Sequence, residues 1–246
     1  FGIMPMASSL DTVGPLTKTV EDCAIVQQVI AGQDSKDATT VSDPIPNYLD
    51  ATLEEIKGLK IGIPKEYYEL DGLDEEVKEL TRKQIEKLAK LGAKIITVSL
   101  PYTKYALAVY YIVVPSEDSS NLARLDGVKY GSREDVNNLY DLYAKSRAQG
   151  FPEEVKRRIM IGTYVLSAGY YDAYYKKAQT VRTLIKKDFE NVFEKVDVLL
   201  TPTSPFPAFD IGCKVNDVLA MYLADIMMSP SSVAGMPAIS VPAGKT

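Results

Sequence analysis

Histidine is absent from all 246 residues. Ser-His-Asp and Cys-His catalysis and the usual zinc sites each need an imidazole, so this chain alone can complete none of them. Tryptophan is absent as well, which restricts little. The two cysteines, Cys23 and Cys213, are too few for a disulfide framework and read as reduced packing residues. Long hydrophobic runs are missing: the stretch from Ala106 to Pro115 falls well short of the ~20 residues that cross a bilayer. The N-terminus has no basic region leading into an apolar run. Excess positive charge is missing too, and a net charge of -5 argues against a general polyanion-binding surface. The expectation is a soluble, cytoplasmic protein with no membrane partner.

What is present suits a globular domain. Apolar residues make up 46% and charged residues 25%, ample for a core. No repeat of ~20–50 residues is evident. The organising stretch is Ala168 to Pro207. Apolar residues recur at Tyr171, Tyr174, Ala178, Val181, Ile185, Phe189 and Val192, which predicts one long amphipathic helix. The run from Val196 to Leu200 predicts a strand buried on both faces. Pro202, Pro205 and Pro207 then stop it, and a rigid loop beyond a strand end is where open α/β sheets place sites.

From the start of the chain, Phe1 to Met6 reads as a short strand and Ala7 to Pro15 as a polar loop. Thr19, with Asp22 three residues later, caps a predicted helix from Val20 to Ala31 that Gly32 ends. Residues 33 to 57 form a long connection with at most a helical turn near Leu53. Leu59 to Pro64 is a predicted strand, Asp74 caps a helix, Gly92 closes it, and Ala93 to Val98 is a second strand. This is a βαβ unit with parallel strands, so a lobe over 58–100 is expected within a single domain of residues 1–246. After Pro101 the pattern turns helical up to Pro115, and the polar block Ser116 to Asn121 reads as a solvated turn. Asp126 to Gly131 is a further turn. Pro152, followed by Glu153 and Glu154, opens a helix buried along Val155, Ile159, Gly162 and Leu166. A helix is predicted from about Asn216 to Met228. A loop from Ser229 to Pro237 and a buried strand from Ala238 to Val241 complete the chain. Gly244-Lys245-Thr246 is no phosphate loop, because Ile239 stands where such a loop needs glycine.

Two charged residues stand out by angle. At ~100° per residue Arg158 falls about 60° from Val155, at the edge of the apolar stripe, whereas Arg157 points away. Asp225 lies roughly 20° from Val218 on the apolar face of its predicted helix. A shielded carboxylate needs a partner. Periodicity alone leaves two readings for both residues: a structural ion pair or snorkelling, and a ligand contact.

Five stretches carry a resemblance. They are Phe1 to Leu16, Ser116 to Arg124, Val155 to Ile159, Gly169 to Tyr175 and Ala234 to Pro242. In this order and spacing they resemble the amidase-signature family, and within it the A subunits of glutamyl-tRNA(Gln)/aspartyl-tRNA(Asn) amidotransferases. The resemblance implies an α/β fold with a mixed β-sheet core flanked by helices on both faces. It also implies glutamine hydrolysis by a Ser, cis-Ser, Lys triad, with ammonia passing to a B subunit that activates misacylated tRNA with ATP and Mg.

The sequence departs from that pattern where it matters most. It has no Gly-Gly-Ser-Ser run, and the family's triad lies upstream of the stretch resembling Phe1. The chain is therefore expected to be a fragment cut at both ends, inactive alone, with uncovered apolar surface. Ser8-Ser9, Ser119-Ser120 and Ser231-Ser232 sit at loops or caps, where serine serves the backbone, and do not replace the nucleophile. What the resemblance carries over is the substrate side: Tyr110, Arg158 and Asp225 match the family's glutamine-recognition positions. A guanidinium suits the α-carboxylate of glutamine and a carboxylate suits its α-ammonium, while Tyr110 offers an aromatic wall and a hydroxyl. The implied partners are the B and C subunits of the amidotransferase and glutamine, with tRNA reached through the tRNA-activating B subunit, and no cofactor is expected in this chain. Two alternatives stand beside this reading: another amidase-signature hydrolase of small amides, and a non-catalytic module that docks on the tRNA-activating subunit.

Overall fold

The computed structural model describes residues 1–52, 55–213, 221 and 223–245. Its described strands form one sheet, in the order β2-β1-β3, from β1 (Lys60–Pro64), β2 (Lys94–Val98) and β3 (Val198–Leu199). Both pairings are parallel. Ile61 lies opposite Ile95 on one side and Val198 on the other. Between β1 and β2 runs α4 (Glu75–Lys90), started by Asp74, whose carboxylate accepts from the backbone N–H groups of Glu76 and Val77. Glu75 and Glu76 in its first turn and Lys87 and Lys90 in its last match the helix dipole. Gly92, at φ +98, turns the chain into β2 where a side chain would be strained.

The remaining helices are α1 (Val20–Ile30), α2 (Tyr48–Ala51), α3 (Lys65–Tyr68), α5 (Ala106–Asn121), α6 (Leu139–Gly150), α7 (Glu153–Leu166), α8 (Lys177–Phe193) and α9 (Ser229–Ala234). The expected start of α1 is borne out, since Thr19 Oγ1 accepts from the N–H of Asp22 at 3.0 Å. The core joins the sheet to α5, α8 and α9 through Val98, Leu100, Val109, Val113, Ile185, Phe189 and Val233. This is an α/β fold, as the sequence predicts.

Several local expectations are corrected. The stretch from Ser116 to Asn121 is no solvated turn: α5 runs straight through Pro115, and Ser116, Asp118 and Asn121 are buried. The serines return their hydroxyls to helical carbonyls, Ser116 to Ile112 and Ser119 and Ser120 to Ser116. Asn121 donates to Met6 O and Ser8 Oγ, each at 2.9 Å. Burial is tolerated because most of the polar atoms find partners inside the fold.

The long helix does not begin as an α-helix. Tyr171–Lys176 is a π-helical turn ahead of α8. Its wider rotation takes Tyr171 and Tyr174 out of phase with the buried stripe Ala178, Ile185, Phe189 and Val192, and both tyrosines are exposed. The strand from Val196 to Leu200 shortens to β3, an edge strand among the described residues, where Val198 is exposed. Phe1 to Met6 and Ala238 to Val241 pair with no strand among the described residues, and Phe1, Ile3, Ile239 and Val241 are exposed. Ser229–Ala234 of the predicted Ser229–Pro237 loop is instead α9, with Pro230 at its start and Gly235 ending it at φ +71. Of the helix predicted over 216–228, residues 216–220 and 222 lie outside the described residues, as does Leu53, and residues 224–228, Asp225 among them, form a turn instead. Large apolar side chains such as Leu16, Met160 and Ile211 are exposed, and no helix among the described residues is long and apolar enough to cross a membrane.

Candidate functional site

The site is built where α5 and α7 cross. Pro115 inside α5 has no N–H for the carbonyl of Tyr111, four residues back. Against Pro115 lies Gly162 of α7, so close that a β-carbon there would sit 1.8 Å from the Pro115 carbonyl oxygen. Only glycine permits that approach. One turn earlier on each helix the side chains meet: the Arg158 guanidinium carbon stands 5.9 Å from the centre of the Tyr111 ring.

Tyr111 is also bonded at its other end. Its hydroxyl donates to Asp225 Oδ2 at 3.1 Å, and Tyr110 packs edge-on against its ring with centroids 5.0 Å apart. Asp225 sits in the turn leading into α9, where its own carbonyl accepts from Ser229 N at 2.9 Å and Ser229 Oγ at 2.7 Å. Three elements distant in sequence thus bring Tyr110, Arg158 and Asp225 onto one residue, Tyr111, which the sequence reading did not single out. The sequence held no signal for it, because Tyr110 and Tyr111 are adjacent residues of one type and only the packing of α7 and of the turn before α9 against α5 tells them apart.

The electrostatics follow from partial burial. The side chain of Arg158 is 22% exposed against 49% for Arg157, so the angular prediction holds. Arg158 Nε lies 3.2 Å from Glu154 Oε1, and Arg157 pairs with the other oxygen of Glu154. Burial works against the charged form of Arg158, yet the Tyr110 hydroxyl and the Glu154 carboxylate more than offset it and hold the guanidinium pKa above its ordinary value. Burial, followed by the Asp225 carboxylate, holds the Tyr111 hydroxyl above the ordinary phenol range, so it stays a donor at neutral pH. Asp118 is 1% exposed. Its carboxyl is pushed up to about 6 by burial, with Arg158 opposing and Asp11 and Glu117 adding to the shift.

The serine pairs are occupied by structural contacts. Glu117 accepts from the Ser9 N–H and hydroxyl. Arg182 donates to Ser9 Oγ at 2.8 Å, to Ser9 O at 3.1 Å and to Val233 O at 2.8 Å. Ser231 donates to Met228 O. The proline-rich loop after β3 also has a structural role, its Pro205 carbonyl accepting from Asp74 N at the start of α4. A cleft of about 450 Å³ lies between β2 and α8, lined by Lys65, Ser99, Asp188, Asn191 and Lys195, away from Tyr111. Among the described residues no group of three or more His, Cys, Asp or Glu side chains is placed to hold a metal ion.

The family model described as Amidase matches residues 1–246. The chain belongs to the amidase family. Among its amidase relatives, the A subunit of the glutamyl-tRNA(Gln) amidotransferase of Geobacillus kaustophilus is 58% identical over 99% of this chain and 50% of its own length. That of Sulfurihydrogenibium sp. is 55% identical over the same shares. The chain therefore spans about half the length of the curated relatives it matches. The crystal structure of the A subunit of glutamyl-tRNA(Gln) amidotransferase from Thermotoga maritima aligns at a TM-score of 0.71 and 42% identity, covering 94% of this chain and 45% of that one. A bacterial aryl acylamidase at 22% identity and the same TM-score shares the fold.

Proposed function

We propose that this chain provides the glutamine-recognition side of the glutaminase subunit of a tRNA-dependent amidotransferase. The observation that carries the reading is the meeting of Arg158 and Asp225 on the two ends of one tyrosine side chain. A free α-amino acid presents a carboxylate and an ammonium on one carbon, and a guanidinium and a carboxylate converging from separate elements answer both. In this reading Arg158 holds the α-carboxylate, Asp225 holds the α-ammonium, and Tyr110 walls the aliphatic stem. The identity to amidotransferase A subunits supports glutamine over other amides. It also supports ammonia delivery to a B subunit that converts Glu-tRNA(Gln), or Asp-tRNA(Asn), to the amidated form, with a C subunit in the assembly.

The hydrolytic step belongs to residues this sequence does not contain. With no Gly-Gly-Ser-Ser run, the chain in this reading supplies neither the nucleophilic serine nor the lysine base of the family's triad, and the isolated chain is expected to show no glutaminase activity. Its work is to bind and orient: two charged contacts fix the α-carbon, and the side-chain amide then projects toward the Ser, cis-Ser, Lys triad of the complete protein. ATP and Mg belong to the tRNA-activating subunit, and the whole assembly works in the cytoplasm.

The deciding experiment is Arg158→Ala in the assembled amidotransferase. Loss of a charge-assisted contact raises the KM for glutamine about tenfold or more, while amidation from free ammonia is unchanged. Equal losses with both nitrogen donors would overturn the reading. A requirement for the tRNA-activating subunit separates it from a free-standing small-amide hydrolase.

A further inference from the structure

Tyr111 touches all three of the residues assigned to glutamine. Its hydroxyl donates to Asp225 Oδ2 at 3.1 Å, its ring faces the Arg158 guanidinium at 5.9 Å, and its ring meets Tyr110 edge-on, with an interplanar angle of 87°. Each contact constrains a different partner. The Arg158 side chain is long and flexible, and a ring beneath its guanidinium restricts where the fork can lie. Asp225 stands in a turn, and the hydroxyl ties down one of its carboxylate oxygens. The edge contact holds Tyr110 beside both.

The backbone under Tyr111 is set for the task. Pro115 removes the helical hydrogen bond that the Tyr111 carbonyl would accept, and Gly162 lets α7 press against that turn, which brings Arg158 over the ring. Burial and the neighbouring carboxylate keep the hydroxyl protonated, so the bond to Asp225 persists across the neutral range.

We infer that Tyr111 is a positioning residue that sets the distance and orientation between the Arg158 guanidinium and the Asp225 carboxylate, and that it thereby makes the site selective for free α-amino acids over amides lacking the amino group. This rests on the glutamine reading above. Tyr111 itself need not touch the substrate. Its hydroxyl acts through Asp225 and its ring through Arg158, and these two effects are separable.

The experiment uses the assembled amidotransferase and two amide substrates, glutamine and 4-carbamoylbutanoate, which is glutamine without its α-amino group. Tyr111→Phe keeps the ring and removes the hydroxyl. It raises the KM for glutamine about fivefold to tenfold, leaves kcat and amidation from free ammonia within about twofold, and leaves the KM for 4-carbamoylbutanoate unchanged, so selectivity falls by the same factor. Tyr111→Leu removes the ring too and raises the KM for both substrates. Should the leucine variant fail to fold, the phenylalanine variant decides alone.

A Tyr111→Phe enzyme with unchanged selectivity overturns the inference, as does one in which the glutamine- and ammonia-dependent rates fall together. Arg158→Ala and Asp225→Asn serve as controls. If neither moves the KM for glutamine, the glutamine reading itself is wrong. If both do and Tyr111→Phe does not, only the role of Tyr111 fails.

Discussion

Gly162 of α7 and Pro115 of α5 are in backbone contact, with no room between them for a methyl group: a β-carbon on Gly162 would lie 1.8 Å from the Pro115 carbonyl oxygen and 2.9 Å from Ser116 N. The obstacle is main chain, which cannot rotate aside as a flexible side chain would. This contact fixes how deeply the two helices nest, and therefore where Arg158, one turn before Gly162, meets Tyr111, one turn before Pro115.

Gly162→Ala must push the helices apart. The helical preference for alanine over glycine, about 1 kcal/mol, is outweighed by overpacking that costs about 1–3 kcal/mol or more. The variant unfolds at lower denaturant, measured by circular dichroism, and in the assembled enzyme its KM for glutamine rises because Arg158 leaves the ring. A variant as stable as the parent would contradict the backbone contact.

Asp118 makes stability pH-dependent in a direction opposite to that of most carboxylates. Folding raises its pKa from 3.8 to about 6, and burial is the main cause. The folded state therefore holds the proton more tightly than the unfolded one. Its contribution is fully present below about pH 3.8 and is lost as the pH rises through about 6. Among the described residues Asp118 Oδ1 is buried without a hydrogen-bond partner, while Arg158, Asp11 and Glu117 supply the surrounding charge. Asp118→Asn should stabilise the protein by about 1–2 kcal/mol near pH 8 and by little near pH 4. Thermal melts at the two pH values check this, and an equal effect at both would remove the linkage.

Arg157 and Arg158 are neighbours in sequence that the helix separates by function. Arg157 is half exposed and paired with Glu154 on the surface, an arrangement worth about 0–1 kcal/mol. Arg157→Ala should leave both the melting temperature and the KM for glutamine where they were. A KM effect as large as that of Arg158→Ala would mean that the site faces the other side of α7.

Arg182 bolts the turn at residues 7–11 to α8 and α9 through its bonds to Ser9 and Val233. Arg182→Ala leaves those acceptors without their cation and should cost about 1–3 kcal/mol. The loss is local, so hydrogen exchange at the amides of Leu10 and Asp11, which bond to the Ala7 carbonyl, should accelerate more than exchange in α4. Uniform acceleration would point to global unfolding instead.

Local chemistry by itself determined the ends of α1 and α4, the parallel β1–β2 pair and the shielding of Arg158 relative to Arg157. Caps, glycine turns and angular position act over a few residues and leave their mark in the order of the chain. The missing histidine likewise fixed which chemistries this chain cannot perform alone. Tertiary packing decided the rest. Whether Ser116 to Asn121 is a turn or the end of α5 depends on Met6 and Ser8, which supply hydrogen-bond partners from more than a hundred residues away. Whether Val196 to Leu200 is covered on both faces depends on what packs against each face of the sheet, and there Val196 is buried while Val198 is exposed. Tyr110 and Tyr111 differ by one position and are chemically identical, and only the packing of α7 and of the turn before α9 against α5 gives Tyr111 the bond to Asp225 and the contact with Arg158. A residue's propensity is local, but its partners are chosen by the folded chain.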